Sequence, residues 1–160
     1  ALWGENAPEL RIVGDGPLRA KLESMTGNLP ITFLGQLSET DAQRQIAGSR
    51  LLVLPSECFE GFPMVVREAF AFGTPTAVSD LGPLPSIVQR GVSGLLFPPG
   101  DPIQLMTVVR DAWQNQDMLA RLGIAARAEF ETKYTEDANY DILMAIYENA
   151  ATVSKARKVL

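Results

Sequence analysis

Five short apolar runs, at residues 10–13, 31–34, 51–54, 76–78 and 94–97, each precede a stretch with helical spacing, and that alternation limits what the chain can become. Strands that alternate with helices along a chain predict a doubly wound parallel sheet, because a parallel neighbour can be reached only through a crossover. The run Leu51-Leu52-Val53-Leu54 is apolar at every position, as expected of a parallel strand covered on both faces. Helices are expected over residues 17–25, from a capped start at Ser38 and Asp41 to near Gly48, over residues 63–72 before Gly73, over residues 85–89, and after a cap at Asp101. The remainder to Lys158 is expected to be helical, with breaks near Gly123 and Thr135. In such a sheet, ligands bind at the carboxyl ends of the strands.

The chain of 160 residues suits one domain with a real core. Hydrophobic residues make up 46% and charged residues 21%, which excludes a mostly disordered polymer. The 14 basic residues are scattered and the net charge is −5, so a nucleic-acid partner is not expected. The single Cys58 cannot form an internal disulfide, and no apolar run is long enough for a transmembrane segment. A cytoplasmic setting is expected, with peripheral attachment at the inner membrane face open to the full-length protein. There is no histidine, so the commonest general base and metal ligand is missing. Ala1 to Glu9 lack the layout of a signal peptide and read as the tail of something longer.

Chemistry concentrates after the first and third strands. Val13-Gly14-Asp15-Gly16-Pro17 is a tight turn. Glu60-Gly61-Phe62-Pro63-Met64-Val65-Val66-Arg67-Glu68 places one carboxylate in a loop and a second inside the following helix. At ~1.5 Å rise per residue, Glu68 lies roughly 7 to 8 Å along the axis from Pro63, a span that a diphosphate joining two hydroxyl-bearing groups can bridge. Free backbone N–H groups at the helix start favour an anion; Pro63 donates none, so Met64 and Val65 must. Carboxylates are acceptor-only and suit sugar hydroxyls flanking a phosphate that they would repel directly.

The Glu-(x)7-Glu pattern of Glu60 and Glu68, set in Pro55-Ser56 through Glu60-Gly61-Phe62-Pro63 to Glu68-Ala69, resembles the donor-site signature of glycosyltransferase family 4, with the GT-B fold. Also similar to that family, in order over residues 10–101, are the Gly14 turn, Phe33-Leu34-Gly35-Gln36-Leu37, Gly73-Thr74-Pro75, Ser79-Asp80, and Gly91-Val92-Ser93-Gly94 through Gly100-Asp101. The resemblance implies a Rossmann-like, doubly wound C-terminal half of a GT-B architecture, with residues 1–160 forming a single donor-binding domain. It implies that the N-terminal acceptor domain and this domain's first strand lie outside the chain. The implied enzyme is retaining and metal-independent, needs no cofactor, and moves a hexose from a UDP- or GDP-sugar to a glycan or lipid-linked acceptor, as in polysaccharide biosynthesis. Glu60 would be the catalytic-site acid that holds the transferred sugar, and Glu68 would hold the ribose. Gly61, Phe62 and the amides of Met64 and Val65 would surround the diphosphate. The backbone from Gly35 to Leu37 would meet the base, and Gly14 and Gly16 would allow close approach. The resemblance further implies that the family's diphosphate-binding Arg and Lys would come from polypeptide ahead of residue 1. Pro63 stands where glycine is common, and Ser86 replaces a usual acid.

Competing readings weigh against particular residues. A glycosidase pair would have to face across one bond at ~5 to 9.5 Å, which a pair strung along one segment does poorly. Gly14-x-Gly16 lacks the third glycine of a dinucleotide fingerprint, since Arg19 fills its place. Asp15 is a turn former, and Cys58 has no histidine to activate it. Trp3, Trp113, Tyr134, Tyr140 and Tyr147 are packing or interface residues. An epimerase would call for further acid/base groups that are not found. A non-catalytic nucleotide-sugar module with the same fold is the alternative, and an apolar patch is expected where a missing domain would dock.

Overall fold

The computed structural model describes Trp3 and residues 7–157. Lys158, the expected end of the last helix, and most of the expected amino-terminal tail lie outside the described residues. The elements run β1 (Leu10–Val13), α1 (Arg19–Thr26), β2 (Ile31–Gly35), α2 (Glu39–Ala47), β3 (Leu52–Leu54), α3 (Met64–Phe72), β4 (Thr76–Ser79), α4 (Leu84–Ile87), β5 (Gly94–Phe97), α5 (Pro102–Gln114), α6 (Gln116–Lys133) and α7 (Glu136–Arg157). Every strand pairing is parallel. The sheet comes in two pieces, β1 with β2 and the order β3-β4-β5.

The core explains the layering. β4 and β5 are buried at every position, and their alternating side chains divide between two faces. Val78 and Leu96 pack with Val66 and Phe70 of α3 and with Leu84, Ile87 and Val88. Ala77, Leu95 and Phe97 pack with Ala112 of α5 and with Leu119 and Leu122 of α6. Helices therefore cover both faces of the β4–β5 region, the doubly wound arrangement expected from the alternation. The other piece is thinner: α1 buries no residue, and Leu18, Leu22 and Met25 along it stay exposed.

Ser38 caps α2 by accepting from Asp41 N at 3.2 Å while its hydroxyl donates to Asp41 Oδ2 at 2.7 Å. Asp101 caps α5 by accepting from the N–H groups of Ile103 and Gln104. The expected break near Thr135 is present, and the Thr135 hydroxyl accepts from Ala138 N at 3.2 Å. The expected break at Gly123 is not there. Gly123 lies buried inside α6, and a Cβ at that position would come to 2.4 Å from the Gly73 carbonyl oxygen. The glycine lets α6 lie directly against the end of α3. The break falls instead at Asn115, whose side chain accepts from Met118 N.

Gly123→Ala should therefore lower stability by about 1 to 3 kcal/mol, because the added methyl meets backbone and outweighs the ~1 kcal/mol that alanine gains over glycine in a helix. Urea unfolding checks this, and a variant with a raised midpoint would show that the contact is looser than described.

Candidate functional site

The parallel pairing brings the loops after β1, β2, β3, β4 and β5 to one end of the sheets. The first two are tied together: Gly14 N–H donates to the Gly35 carbonyl at 2.8 Å. Both glycines have positive φ, +116° and +67°, which a side chain would resist. A Cβ on Gly35 would also meet Arg19 Nη1 at 2.8 Å. Arg19 bridges Asp15 at 2.9 Å and Glu23 at 2.8 Å, and Asp15 Oδ1 accepts from Gly16 N at 2.7 Å. Asp15 is thus the turn former expected. Arg19 was legible only through the Asp15-Arg19-Glu23 spacing of four, a helical charge pattern.

The third loop, residues 55–63, is braced from several sides. Glu60 is half-buried, and its Oε1 accepts from the Ser56 hydroxyl at 2.7 Å. Phe59, itself 79% exposed, lies over Gly82 of the β4–α4 loop, where a Cβ would meet its ring at 2.8 Å. Phe62 makes an edge contact with Tyr134 at 5.6 Å between ring centroids. Tyr134 closes α6, so this contact links the loop to the corner between α6 and α7. Periodicity along one segment could not reveal that pairing. Cys58 is exposed.

Pro63 stands at the α3 N-cap in extended conformation and provides no side-chain cap. Val66 N–H donates to the Pro63 carbonyl at 3.0 Å, so the helix start leaves Met64 and Val65 as its free amides. Val66, Ala69 and Phe70 form the buried stripe, whereas Met64 and Phe72 are exposed at 49% and 47%. Glu68, half-buried, falls between them at a spacing of four and shares the stripe of Met64. Among the described residues it has no hydrogen-bond partner. A groove of about 650 Å³ lies elsewhere, beside Ser49, Gly73, Pro75 and Gly123 near the amino ends of β3 and β4. The carboxyl ends are the better candidate, since strand ends, glycine loops and a free helix start converge there. Among the described residues, no group of three His, Cys, Asp or Glu is clustered to hold a metal, and no helix is long and apolar enough to cross a membrane.

A sequence profile described as Glycosyl transferases group 1 matches residues 4–129. The chain belongs to this family. It is similar to the sulfoquinovosyl transferase of Arabidopsis thaliana, with 32% identity across 97% of this chain and 31% of that protein. Among solved structures it is similar to sucrose-phosphate synthase from Thermosynechococcus elongatus, with TM-score 0.80 and 23% identity over 95% of this chain and 41% of that one. A second is Anabaena HepE in complex with UDP-glucose, with TM-score 0.76 and 20% identity over 92% of this chain and 46% of that one. These structures show the shared fold, the Rossmann-like α/β fold of GT-B glycosyltransferases. The group 1 chain described here spans about a third of the length of the Arabidopsis relative.

The Asp15 carboxyl is held below its ordinary range, first by the Gly16 N–H and then by Arg19. A lowered acid adds stability that is present above its unfolded pKa and is lost as pH falls through the folded one. Wild type and Asp15→Asn should therefore differ in stability near neutrality and converge in acid. Denaturation at a series of pH values reads this, and a gap that stays constant into acid would contradict the assignment.

Proposed function

We propose that this chain is the donor-binding part of a retaining, metal-independent family 4 glycosyltransferase, which moves a hexose from a UDP- or GDP-sugar to a glycan or lipid-linked acceptor. The observation that carries the reading is the α3 start: two free amides, Met64 and Val65, between Glu60 and Glu68. A diphosphate there gains charge-assisted hydrogen bonds and a favourable helix dipole. Glu60, with Oε1 engaged by Ser56, keeps Oε2 for a hydroxyl of the transferred sugar, and Glu68 takes the ribose hydroxyls. Gly61 and Phe62 form the approach to the diphosphate. The joined turns at Gly14, Gly16, Gly35 and Leu37 let backbone meet the base and the donor closely.

Supporting this, HepE is described in complex with UDP-glucose, and two of the relatives are named as a sulfoquinovosyl transferase and a mannosyltransferase. Leaving-group charge in such a reaction is neutralised by preorganised donors and cations. In this proposal an Arg and a Lys from polypeptide outside residues 1–160 supply the cations, and a separate domain supplies the acceptor site. The enzyme would work in the cytoplasm, alone or at the inner membrane face. A non-catalytic nucleotide-sugar module would keep the same pocket without turnover.

Met64→Pro is the sharpest test, because Pro63 already has the extended backbone that a following proline requires and proline is tolerated at the first helical position. The substitution removes one amide and little else. Calorimetric affinity for UDP-glucose or a GDP-hexose, whichever the wild type binds, should fall about 10- to 100-fold, the worth of a hydrogen bond to a charged group. Glu60→Gln and Glu68→Gln should each weaken the intact sugar nucleotide, and Glu60→Gln should spare the free nucleoside diphosphate. Unchanged affinity in all three variants would exclude this pocket. The 160-residue chain alone should show no transferase turnover, so efficient transfer by it would refute the need for outside cations and an acceptor domain.

A further inference from the structure

We propose that Arg67 is a donor-binding residue, which supplies a guanidinium from within this chain to the diphosphate at the start of α3. The proposal rests on the donor-site reading above and adds a contact which that reading does not use. Arg19, Arg67 and Arg110 are each half-buried. Arg19 is paired with Asp15 and Glu23, and Arg110 donates to the Trp3 carbonyl at 3.3 Å and lies over the Trp3 ring. Arg67 has neither an ion pair nor a hydrogen bond among the described residues. A charge drawn partly out of water with no partner costs free energy, and a bound anion offsets that cost.

The helix that carries Arg67 offers it no such anion. Its neighbours three and four positions away are Pro63, Met64, Phe70 and Ala71, none of them acidic, and the adjacent Glu68 does not face it. Side chains on a helix lean toward its amino end and cover the turn before their own Cα. For Arg67 that turn is Pro63 and Met64, where the free amides stand. Its Cα is only ~4.5 Å along the axis from that of Met64, within reach of an arginine side chain. The guanidinium is donor-only and always charged, and its planar fork fits two oxygens of a phosphate. The helix start alone offers about half a unit charge, so a full cation in the same place is the larger attraction. It also offsets the repulsion between the phosphates and the Glu68 carboxylate one residue on.

The test is calorimetric titration of the chain with UDP or GDP, whichever the wild type binds, at several salt concentrations. Arg67→Gln should weaken the nucleoside diphosphate and the sugar nucleotide alike, by about 10- to 100-fold. Arg67→Lys should weaken them less, because it keeps the charge and loses the fork. The matching nucleoside has no phosphate and should bind wild type and Arg67→Gln equally. The salt dependence of diphosphate binding should flatten in Arg67→Gln and persist in Arg67→Lys. A loss shared by the nucleoside, or an unchanged salt dependence, would overturn the proposal by showing that Arg67 supports the fold instead. Full affinity in Arg67→Gln, with binding weakened by Met64→Pro and Glu60→Gln, would overturn this contact and leave the donor site standing. A wild type that binds neither diphosphate nor sugar nucleotide would end the donor-site reading, and the role of Arg67 with it.

Discussion

The placement of α3 governs the rest of the structure. Val66, Ala69 and Phe70 retain no surface in water, and they press the helix onto β4 while α6 lies against its far end. Fully burying a large apolar side chain is worth about 1.5 to 3 kcal/mol, so this stripe fixes the roll of the helix. With the roll fixed, Met64 and Glu68 have only the outer face available. With the far end held by Gly73 against Gly123, the axial position is set as well. The core thereby decides which amides and which carboxylate meet the loops at the sheet's carboxyl ends.

Helix starts elsewhere in the chain follow a different pattern. α2, α5, α6 and α7 receive a side-chain cap from Ser38, Asp101, Asn115 and Thr135. α1, α3 and the short α4 receive none, and each begins just beyond a glycine-bearing loop after a strand. A cap is typically worth ~1 kcal/mol, so leaving one out keeps the helix less stable than it could be. For α3 the omission leaves donors open to an outside anion, which is how strain or incomplete bonding at a site becomes intelligible.

Much of this was legible in residue order because it depends on local rules. Apolar runs located all five strands, Ser38 and Asp101 announced their caps, and Gly73 closed α3 in the left-handed conformation. What escaped depends on contacts between distant segments. Gly123 looks like a helix breaker when only its own neighbours are considered; its real constraint is the Gly73 carbonyl, fifty residues away in sequence. The Phe62–Tyr134 contact and the Gly14–Gly35 bond are hidden for the same reason. Pro63 was legible as a lost donor, but not as the residue whose carbonyl engages Val66 N–H and so limits the free amides to two.

The division of the sheet follows from the same logic of distant partners. β4 is covered on both faces and paired on both edges, and all of its residues are buried. β3, Leu-Val-Leu, is more apolar than β4, Thr-Ala-Val-Ser, but among the described residues it pairs on one edge only, and it stays half in water. Composition is therefore not what separates the two strands; the number of neighbours is. A parallel sheet gains its burial from helices on its faces and strands on its edges together, and a strand with one neighbour gains less of both. The candidate site lies on the β3–α3 connection, so Glu60 and α3 are anchored by a strand of three residues that has one partner, β4, among the described residues.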